Sequence, residues 1–579
     1  MLNTTERWTL ILNLLALPLL LFWALNTLPH TTWPPIVTVF LLGFVMSVWM
    51  DWETVQNTRH PMKWLKVHII EISIGLIGPP LLLQGKAWFG LLAIRQMIVV
   101  GRLMLRWQHG KSALERILMR PARLMVSSFG GIILLGTALL MMPAATKNIH
   151  QLPFIDALFT ATSATCVTGL AIMNTPEDFT LFGQLIILGL IQVGGLGIMT
   201  LSSFIIWLMG RRLGILGQHA LGEILDEPTP GTVLRLLRFI VIATFLTELV
   251  GALILYFYWI DPQYHIKTPF YHAIFHSISA FCNAGFALWG NSLVPFQTEL
   301  GINVTIMALI VLGGIGFPVL ASISSRQRYR RFLEVKQRHS FLWSARMYLQ
   351  SLPLNTKIVL IAYFLLLVSA FFLFLGLEWQ HSLKHLSPID KCLAALFQAV
   401  TLRTAGFNTV DYSLLTPATM LMMIFFMIIG GASGGTAGGL KVNTLAILYL
   451  SLSSTLRGRK EVEVFERTLP QETILKATAI ISVFTVLIFL FLFALALTHP
   501  GVPFLHLFFE VSSAIGTVGL TVATPDGIGT TSKLNFFGKL AITFAMFLGR
   551  LGPLTLAFAV GERITKAQYK YPQERVYVG

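Results

Sequence analysis

The sequence predicts an all-α integral membrane protein built on a fourfold internal repeat. Hydrophobic residues make up 55% of the 579 positions and charged residues only 12%, which is more apolar side chain than a soluble core of this length can hide. Apolar stretches of about 20 residues, the length that crosses a bilayer core, recur along the whole chain. They lie at 8–28, 122–143, 182–209, 236–259, 356–377, 474–498 and 535–560.

The formal net charge is +16, but the basic residues do not form a separate soluble domain that would bind nucleic acid. They cluster in the connections between apolar spans. The connection from Arg326 to Arg346 carries seven Lys or Arg against one acid, Glu334. Because an excess of Lys and Arg is typical of cytoplasmic loops, the charge predicts that these connections are cytoplasmic. The charge distribution predicts the lipid bilayer as a partner and predicts no binding of nucleic acid.

Four short segments that end in glycine define the repeat. They read CVTGL at 166–170, CNAGF at 282–286, RTAGF at 403–407 and GTVGL at 516–520. Their glycines, Gly169, Gly285, Gly406 and Gly519, are separated by 116, 121 and 113 residues. A unit of that size is too large for a solenoid repeat and suits a two-helix module. Four such modules can surround one axis.

A short helix is predicted before each segment. Pro153, Pro269 and Pro503 each lie 16 residues before a repeat glycine, and Asp390 holds that place in the third repeat. Proline is favoured in the first turn of a helix, and an acid suits a helix N-terminus. A helix of about a dozen residues is about 18 Å long, too short for a bilayer core of about 30 Å. We therefore predict half-helices that begin at 153, 269, 390 and 503 and end inside the membrane.

The backbone between each half-helix and its glycine is predicted to line a pore. Non-helical backbone at membrane depth is tolerated where it lines a wet cavity or is buried in protein, and the C-terminal end of a helix dipole favours a cation. Glycine admits positive φ, so carbonyl oxygens can turn toward an axis. Since the side chains vary between repeats, main-chain oxygens are expected to replace an ion's hydration shell. The predicted ion-binding residues are Val167, Thr168, Gly169, Asn283, Ala284, Gly285, Thr404, Ala405, Gly406, Thr517, Val518 and Gly519.

Glycine clusters downstream form a second fourfold signature: GGLG at 194–197, GGIG at 313–316, GGASGGTAGG at 430–439 and GRLG at 549–552. Close packing of membrane helices is favoured for the first two. The third has six glycines in ten residues, and each glycine costs a helix about 1 kcal/mol relative to alanine, so this helix should break. A flexible loop below the ion-binding segments would be a gate. The predicted gating residues are Gly430, Gly431, Ser433, Gly434, Gly435, Thr436, Gly438, Gly439, Lys441 and Arg550.

Charged side chains inside these apolar elements are expected to face the bundle interior or water. Arg550 has three possible roles that the sequence leaves open. It can donate to carbonyl groups of the glycine-rich loop, tune cation occupancy, or pair with an acid such as Glu510. Glu248, in the middle of the apolar run 236–259, is expected to pair within the bundle and is assigned no transport role.

The motifs together resemble a known family. SATCVTGL, SAFCNAGF, TLRTAGFNT and SSAIGTVGL, with QVGGLGIMT, GGASGGTAGGLK and MFLGRLGPLT, are similar to the Trk/Ktr/HKT superfamily of potassium transport subunits, of the bacterial TrkH and KtrB type. The resemblance covers about residues 120–560. It implies four M1-P-M2 pore modules around one pseudo-fourfold ion pore, with one filter glycine per repeat. It also implies a gating loop in the third M2 and an arginine in the fourth. A serine at the first filter position goes with sodium selectivity in this family, so Gly169 implies potassium.

The resemblance also divides the chain and implies its partners. The expected parts are pore module 1 at 120–212, pore module 2 at 230–325, a basic cytoplasmic linker at 326–350, pore module 3 at 354–456 with its gating loop at 430–441, pore module 4 at 470–562 and a cytoplasmic tail at 563–579. Homodimers and cytoplasmic nucleotide-binding regulatory subunits of the TrkA/KtrA type are implied. Potassium would be the substrate, no cofactor would be covalently bound, and nucleotide would act only through the partner subunit.

The N-terminal block, residues 1–110, departs from this pattern because it holds about four apolar segments of its own. They lie near 8–28, 34–50, 66–84 and 87–106. Arg95, Arg102 and Arg106 would share one helical face, and acids in the earlier segments (Asp51, Glu53 and Glu71) loosely complete a voltage-sensor-like bundle. The alternative is that Arg102 and Arg106 begin a cytoplasmic connection, while Arg95 snorkels or pairs with Glu71.

The predicted function is potassium uptake across the cell inner membrane through a channel-like pore, without catalysis of a reaction. Two alternatives stay open. The chain would be the potassium-translocating subunit of an ATP-driven pump, which requires an ATPase partner, or a symporter that moves protons or sodium with potassium. The core lacks an obvious chain of carboxylates for a proton relay.

Overall fold

The computed structural model describes residues 121–147, 152–208, 230–264, 266–325, 347–522 and 529–552. In these ranges the chain is mainly helical, with one two-stranded hairpin and irregular segments between helices. The predicted voltage-sensor-like block, with Arg95, Arg102 and Arg106, lies outside the described residues. So do the tail at 563–579 and most of the basic linker.

The helices of seven or more residues are numbered in chain order. They are α1 (Pro121–Leu140), α2 (Phe154–Thr165), α3 (Leu181–Leu208), α4 (Pro230–Trp259), α5 (Pro269–Phe281), α6 (Leu300–Gly314), α7 (Phe317–Ile323), α8 (Leu354–Glu378), α9 (Pro388–Thr401), α10 (Pro417–Ile428), α11 (Val442–Leu456), α12 (Gln471–Thr498), α13 (Phe504–Gly516) and α14 (Phe536–Leu551). Between α11 and α12, strand β1 (Glu463–Val464) pairs antiparallel with β2 (Arg467–Thr468).

Three of these helices are long and apolar enough to cross a membrane. They are α8, α12 and the part of α4 from Leu236 to Trp259; the bent pair α6 and α7 makes a fourth if it is counted as one span. Large apolar side chains on these helices, such as Phe257, Phe364 and Phe493, are exposed. Large exposed apolar side chains on long apolar helices are typical of contact with lipid. The chain is therefore an all-α membrane protein.

The half-helices are α2, α5, α9 and α13, with 12, 13, 14 and 13 residues. The predicted starts at Pro153, Pro269 and Pro503 are confirmed, because these residues are the N-cap or first residue of their helices. The predicted start at 390 is wrong. Helix α9 begins at Pro388, and the side chain of its N-cap, Ser387, accepts a hydrogen bond from the main-chain N–H of Asp390.

The reason for the earlier start is a reciprocal cap. The hydroxyl of Ser387 also donates to the Asp390 carboxylate, over 2.6 Å, so Asp390 stands three positions after the cap and closes it from inside the first turn. Pro388 occupies the first helical position. All four half-helices thus have a proline at or next to their start, and the third differs by its cap.

Helix packing links the four repeats in a closed order. Helix α3 packs on α5, α6 packs on α9, α10 packs on α13, and α14 packs back on α2. The helix that follows each glycine-ended segment therefore contacts the half-helix of the next repeat, and the last repeat contacts the first. This order brings the C-terminal ends of the four half-helices together.

Glycines of the second signature let helices approach closely. A Cβ added at the leading glycine of three clusters would lie 2.0 Å or less from a carbonyl oxygen near the end of the same repeat's half-helix: at Gly194 from Thr165, at Gly313 from Phe281 and at Gly549 from Ile515. No real side chain fits such a distance. The close-packing interpretation of the first two clusters is confirmed, and it extends to the fourth.

A glycine with positive φ also breaks the helix in the first two clusters. Gly197 has φ 83° and kinks α3, and Gly316, with φ 93°, separates α6 from α7, whose axes differ by 99°. In the fourth cluster, α14 ends at Leu551 and its C-cap residue, Gly552, has φ 81°. The third repeat is different because a loop of residues 429–441 is inserted between α10 and α11.

Replacing Gly194 by alanine should lower the midpoint of thermal unfolding, because overpacking in a tight core costs about 1–3 kcal/mol. Gly189 on the same helix is the matched control, since an added Cβ there meets nothing within 4 Å. The Gly189→Ala protein should be as stable as the parent or slightly more stable, because alanine favours a helix. Thermal unfolding of the detergent-solubilised proteins measures both, and equal midpoints would contradict the packing argument.

Candidate ion-conducting site

The four glycine-ended segments meet in the structure. Each glycine faces the carbonyl oxygen of the residue that precedes a glycine of a neighbouring repeat, and the order closes from the fourth repeat to the first. A Cβ added at Gly169 would lie 2.4 Å from the carbonyl oxygen of Ala284, and one added at Gly285 would lie 2.9 Å from that of Ala405. The corresponding distances are 2.6 Å from a Cβ on Gly406 to the Val518 oxygen and 2.0 Å from a Cβ on Gly519 to the Thr168 oxygen. A side chain at any of the four positions would collide with the adjacent segment.

Backbone conformation in these segments is unusual at two positions. The glycines have positive φ: 94° at Gly169, 70° at Gly285, 78° at Gly406 and 90° at Gly519. The residue two positions earlier also has positive φ: 55° at Val167, 60° at Asn283, 65° at Thr404 and 52° at Thr517. For residues other than glycine this conformation is rare and costs of the order of 1–3 kcal/mol. Such strain is held in place by the surrounding structure and is typical of functional sites.

Main-chain N–H groups of the segments bond to the half-helices behind them. The N–H of Thr168 donates to the carbonyl oxygen of Ser163 over 2.8 Å, and that of Gly169 donates to the Ser163 hydroxyl over 3.1 Å. In the fourth repeat the N–H of Val518 donates to the carbonyl oxygen of Ser513 over 2.8 Å, and that of Gly519 donates to the Ser513 hydroxyl over 3.1 Å. With their N–H groups held from behind, the segments are free to present carbonyl oxygens on the other side.

In the third repeat the attachment shifts by one residue. The N–H of Ala405 donates to the carbonyl oxygen of Thr401, four positions earlier, over 2.9 Å; in the other repeats the acceptor is five positions earlier. Arg403, the first residue of this segment, is fully buried, and its guanidinium donates to the carbonyl oxygen of Ile429 over 3.0 Å. The ring of Phe426 lies 5.3 Å from the guanidinium carbon.

Polar side chains in the middle of three half-helices hold the chain that follows each glycine. His276 accepts from the N–H of Leu288 over 3.1 Å, and Gln398 donates to the Thr409 hydroxyl over 3.2 Å. The hydroxyls of Thr521 and Thr531 donate to Glu510, the latter over 2.7 Å. The three holding side chains are 0% exposed. These hydrogen bonds were not predicted, although each of the three repeats has a polar residue eight or nine positions before its glycine.

The loop at 429–441 crosses under the converging segments. On one side, its N–H groups at Ala432 and Thr436 donate to Gly314 and Gly313 of the second repeat, over 2.9 and 3.1 Å. On the other side it touches the fourth repeat, where a Cβ added at Gly438 would lie 2.0 Å from the hydroxyl of Thr517. The loop therefore spans from the second repeat to the fourth, directly beside residues of the glycine-ended segments.

Two cationic side chains donate hydrogen bonds to main-chain carbonyl oxygens of the loop. The guanidinium of Arg550, half-buried, donates to the carbonyl oxygens of Thr436 in the loop and Gly194 in the first repeat. The ammonium of Lys441 donates to the carbonyl oxygen of Ala437 over 2.6 Å. Of the roles left open for Arg550, donation to loop carbonyls is the one that the structure shows. Pairing with Glu510 is not found, because that carboxylate accepts from threonines.

The expected pairing of Glu248 is found with neutral groups. The side-chain amide of Gln192 donates to both carboxylate oxygens, over 3.1 and 3.2 Å, and the Cys282 thiol lies 3.7 Å away. Within the described residues, no group of three or more His, Cys, Asp or Glu is placed to hold a metal ion. Among the described residues, the converging segments contain main-chain carbonyl oxygens and the buried hydroxyls of Thr168, Thr404 and Thr517, which have no hydrogen-bond partner.

Comparison with known proteins gives the class to which this arrangement belongs. Residues 94–568 match the family model of TrkH, a cation transport protein, and the chain belongs to this family. The Ktr system potassium uptake protein B of Bacillus subtilis strain 168 is 37% identical over 461 residues, which cover 79% of this chain and 97% of that protein. The prediction of the Trk/Ktr/HKT superfamily is confirmed.

Two further relatives extend the comparison. The potassium/sodium uptake protein NtpJ of Enterococcus hirae is 34% identical over 467 residues, 79% of this chain and 97% of that protein. The crystal structure of the potassium transporter TrkH from Vibrio parahaemolyticus superposes with a TM-score of 0.60 at 19% identity, covering 86% of this chain and 97% of that one. This last likeness establishes the fold. The family match begins at residue 94, inside the last of the predicted N-terminal spans.

Proposed function

We propose that this chain takes up potassium across the cell inner membrane through a channel-like pore whose selectivity filter is the ring of glycine-ended segments. The closed ring carries the proposal. Four glycines each face a carbonyl oxygen of the neighbouring repeat, so the segments surround one axis and no side chain separates these glycines from those oxygens. The relatedness to a potassium uptake protein supports the choice of ion.

The chemistry of the filter follows from the backbone. A cation that enters a membrane loses hydration, and carbonyl oxygens must replace it. The half-helices end at this level, and the negative ends of their dipoles add to the attraction for a cation. Because the N–H groups at Thr168, Gly169, Val518 and Gly519 are bonded to the half-helices, the carbonyl geometry is set before the ion arrives.

The loop at 429–441 is proposed as the gate. It carries Gly430 to Gly439 past the filter and is hydrogen-bonded to two other repeats, through Gly313 of the second and Arg550 of the fourth. Movement of the loop would require release of the Arg550 contacts. The six glycines give the backbone the freedom to adopt a second conformation.

The modular arrangement and the assembly are also proposals. We propose four M1-P-M2 modules at 120–212, 230–325, 354–456 and 470–562, with the basic linkers on the cytoplasmic side. As the family resemblance implies, the chain would form a homodimer with nucleotide-binding regulatory subunits of the TrkA/KtrA type. Nucleotide would act only through those subunits, and the chain itself would not be an enzyme.

Coupled transport is the second candidate, because the Enterococcus relative is called a potassium/sodium uptake protein. Reversal potentials of the purified full-length protein in liposomes separate the two. A channel for potassium should give a current that reverses at the potassium equilibrium potential, whatever the sodium or proton gradient. A reversal potential that moves with a sodium or proton gradient would establish symport, and a current that needs ATP would establish a pump.

Replacing Gly169 by serine should reduce the preference for potassium over sodium. The added Cβ would lie 2.4 Å from the Ala284 carbonyl oxygen at a φ of 94°, so a filter oxygen must move. Strain of about 1–3 kcal/mol corresponds to a loss of about 5- to 150-fold in the selectivity ratio. The permeability ratio in liposomes measures it, with Gly189→Ser as the control in open space. An unchanged ratio would remove Gly169 from the filter.

Deleting residues 434–437 should raise potassium flux, because it removes the part of the loop that Arg550 holds under the filter. Arg550→Ala should act in the same direction by releasing the loop without shortening it. Uptake of potassium into liposomes, normalised to monodisperse protein, gives the comparison. Lower or equal flux in both well-folded variants would count against a gate.

A further inference from the structure

Asn283 is the point where two filter segments and the loop meet. It is the residue two positions before Gly285, its φ is 60°, and it is 0% exposed. Its side-chain amide donates to the carbonyl oxygen of Arg403, at the start of the third filter segment, over 3.2 Å. Its side-chain oxygen accepts from the hydroxyl of Thr436, in the middle of the loop, also over 3.2 Å.

The equivalent positions in the other repeats make no such link. Val167 has no polar side-chain atom, and within the described residues the hydroxyls of Thr404 and Thr517 have no hydrogen-bond partner. Asparagine also tolerates positive φ better than valine or threonine do. The second repeat therefore combines the conformation that the filter needs with a side chain that reaches beyond it.

Thr436 makes hydrogen bonds through its side chain and through its main chain. Its hydroxyl lies 3.2 Å from Asn283 and 3.2 Å from the carbonyl oxygen of Phe281, the last residue of α5. Its main-chain N–H donates to Gly313, and its carbonyl oxygen accepts from Arg550. Whatever moves this residue away from its place breaks the bond to the filter at the same time.

We propose that Asn283 is a positioning residue that couples the loop to ion selectivity, an inference that rests on the proposed filter and gate. With Thr436 in place, the carboxamide holds the second and third filter segments in register. When Thr436 leaves, the carboxamide loses one of its two fixed partners, and the Arg403 carbonyl loses a donor of fixed orientation. Current that passes while Thr436 is in place is therefore more selective for potassium than current that passes after Thr436 has left.

Removal of one hydroxyl tests this coupling. Thr436→Val keeps the shape of the side chain and removes the donor, and Asn283→Gly removes the carboxamide while tolerating the positive φ. Each should lower the potassium-to-sodium permeability ratio of the full-length protein in liposomes by about 2- to 12-fold, the range that corresponds to one hydrogen bond. The double variant should be no less selective than the more affected single variant, because both break the same link.

Thr436→Ser restores the hydroxyl and should restore the permeability ratio. Thr478→Val is the matched control, since Thr478 lies on α12 and bonds only within its own helix, to Ile474. If Asn283→Gly does not fold, the comparison of Thr436→Val with Thr436→Ser decides, because only the former lacks the donor.

The coupling is overturned if Thr436→Val changes flux and leaves the permeability ratio at the value of the parent protein. Independent, multiplicative effects in the double variant would also overturn it. Both results leave the proposed function intact. A parent protein without potassium-selective current overturns the proposed function itself, and this is known before any variant is compared.

Discussion

The rest of the structure depends on how main-chain groups are satisfied in the interior of the helix bundle. Four half-helices end there, and each leaves carbonyl groups and an irregular chain that need hydrogen-bond partners within the protein. The segments meet this constraint by donating their N–H groups back to the half-helices, as Thr168 does to Ser163 and Val518 does to Ser513. Each glycine lies close to a carbonyl oxygen of an adjacent segment, and in the proposed filter such oxygens would replace the hydration shell of a cation.

This arrangement is strained, and the strain explains the glycines around it. Positive φ at Val167, Asn283, Thr404 and Thr517 persists only because neighbouring elements enforce it. The enforcement requires close approach, and helices α3, α6 and α14 reach the half-helices through Gly194, Gly313 and Gly549. Glycine thus has two different uses here. In the glycine-ended segments it provides both the positive φ and the space that the adjacent segment needs, and at these three helix positions it provides space.

Much of the fold could be predicted from local sequence, because spans, proline starts and glycine clusters are local signals. The strain at Val167 and Thr517 could not, since β-branched residues disfavour positive φ and only tertiary contacts impose it. The kink at Gly197 was not predicted because the GGLG cluster at 194–197 is equally compatible with close helix packing. The start of α9 at Pro388 was not predicted, because the spacing of 16 residues before the repeat glycine indicated Asp390.

The fourfold order is broken mainly at the third repeat, and the departures reinforce one another. The shifted bond from Ala405 to Thr401 places Arg403 where its guanidinium reaches Ile429, the last residue before the glycines of the loop. The Arg403 carbonyl is then the group to which Asn283 donates. A loop inserted in any other repeat would lack this buried cation at its start. The shifted hydrogen bond of Ala405, the buried guanidinium of Arg403 and the start of the inserted loop therefore lie together at the C-terminal end of the third half-helix.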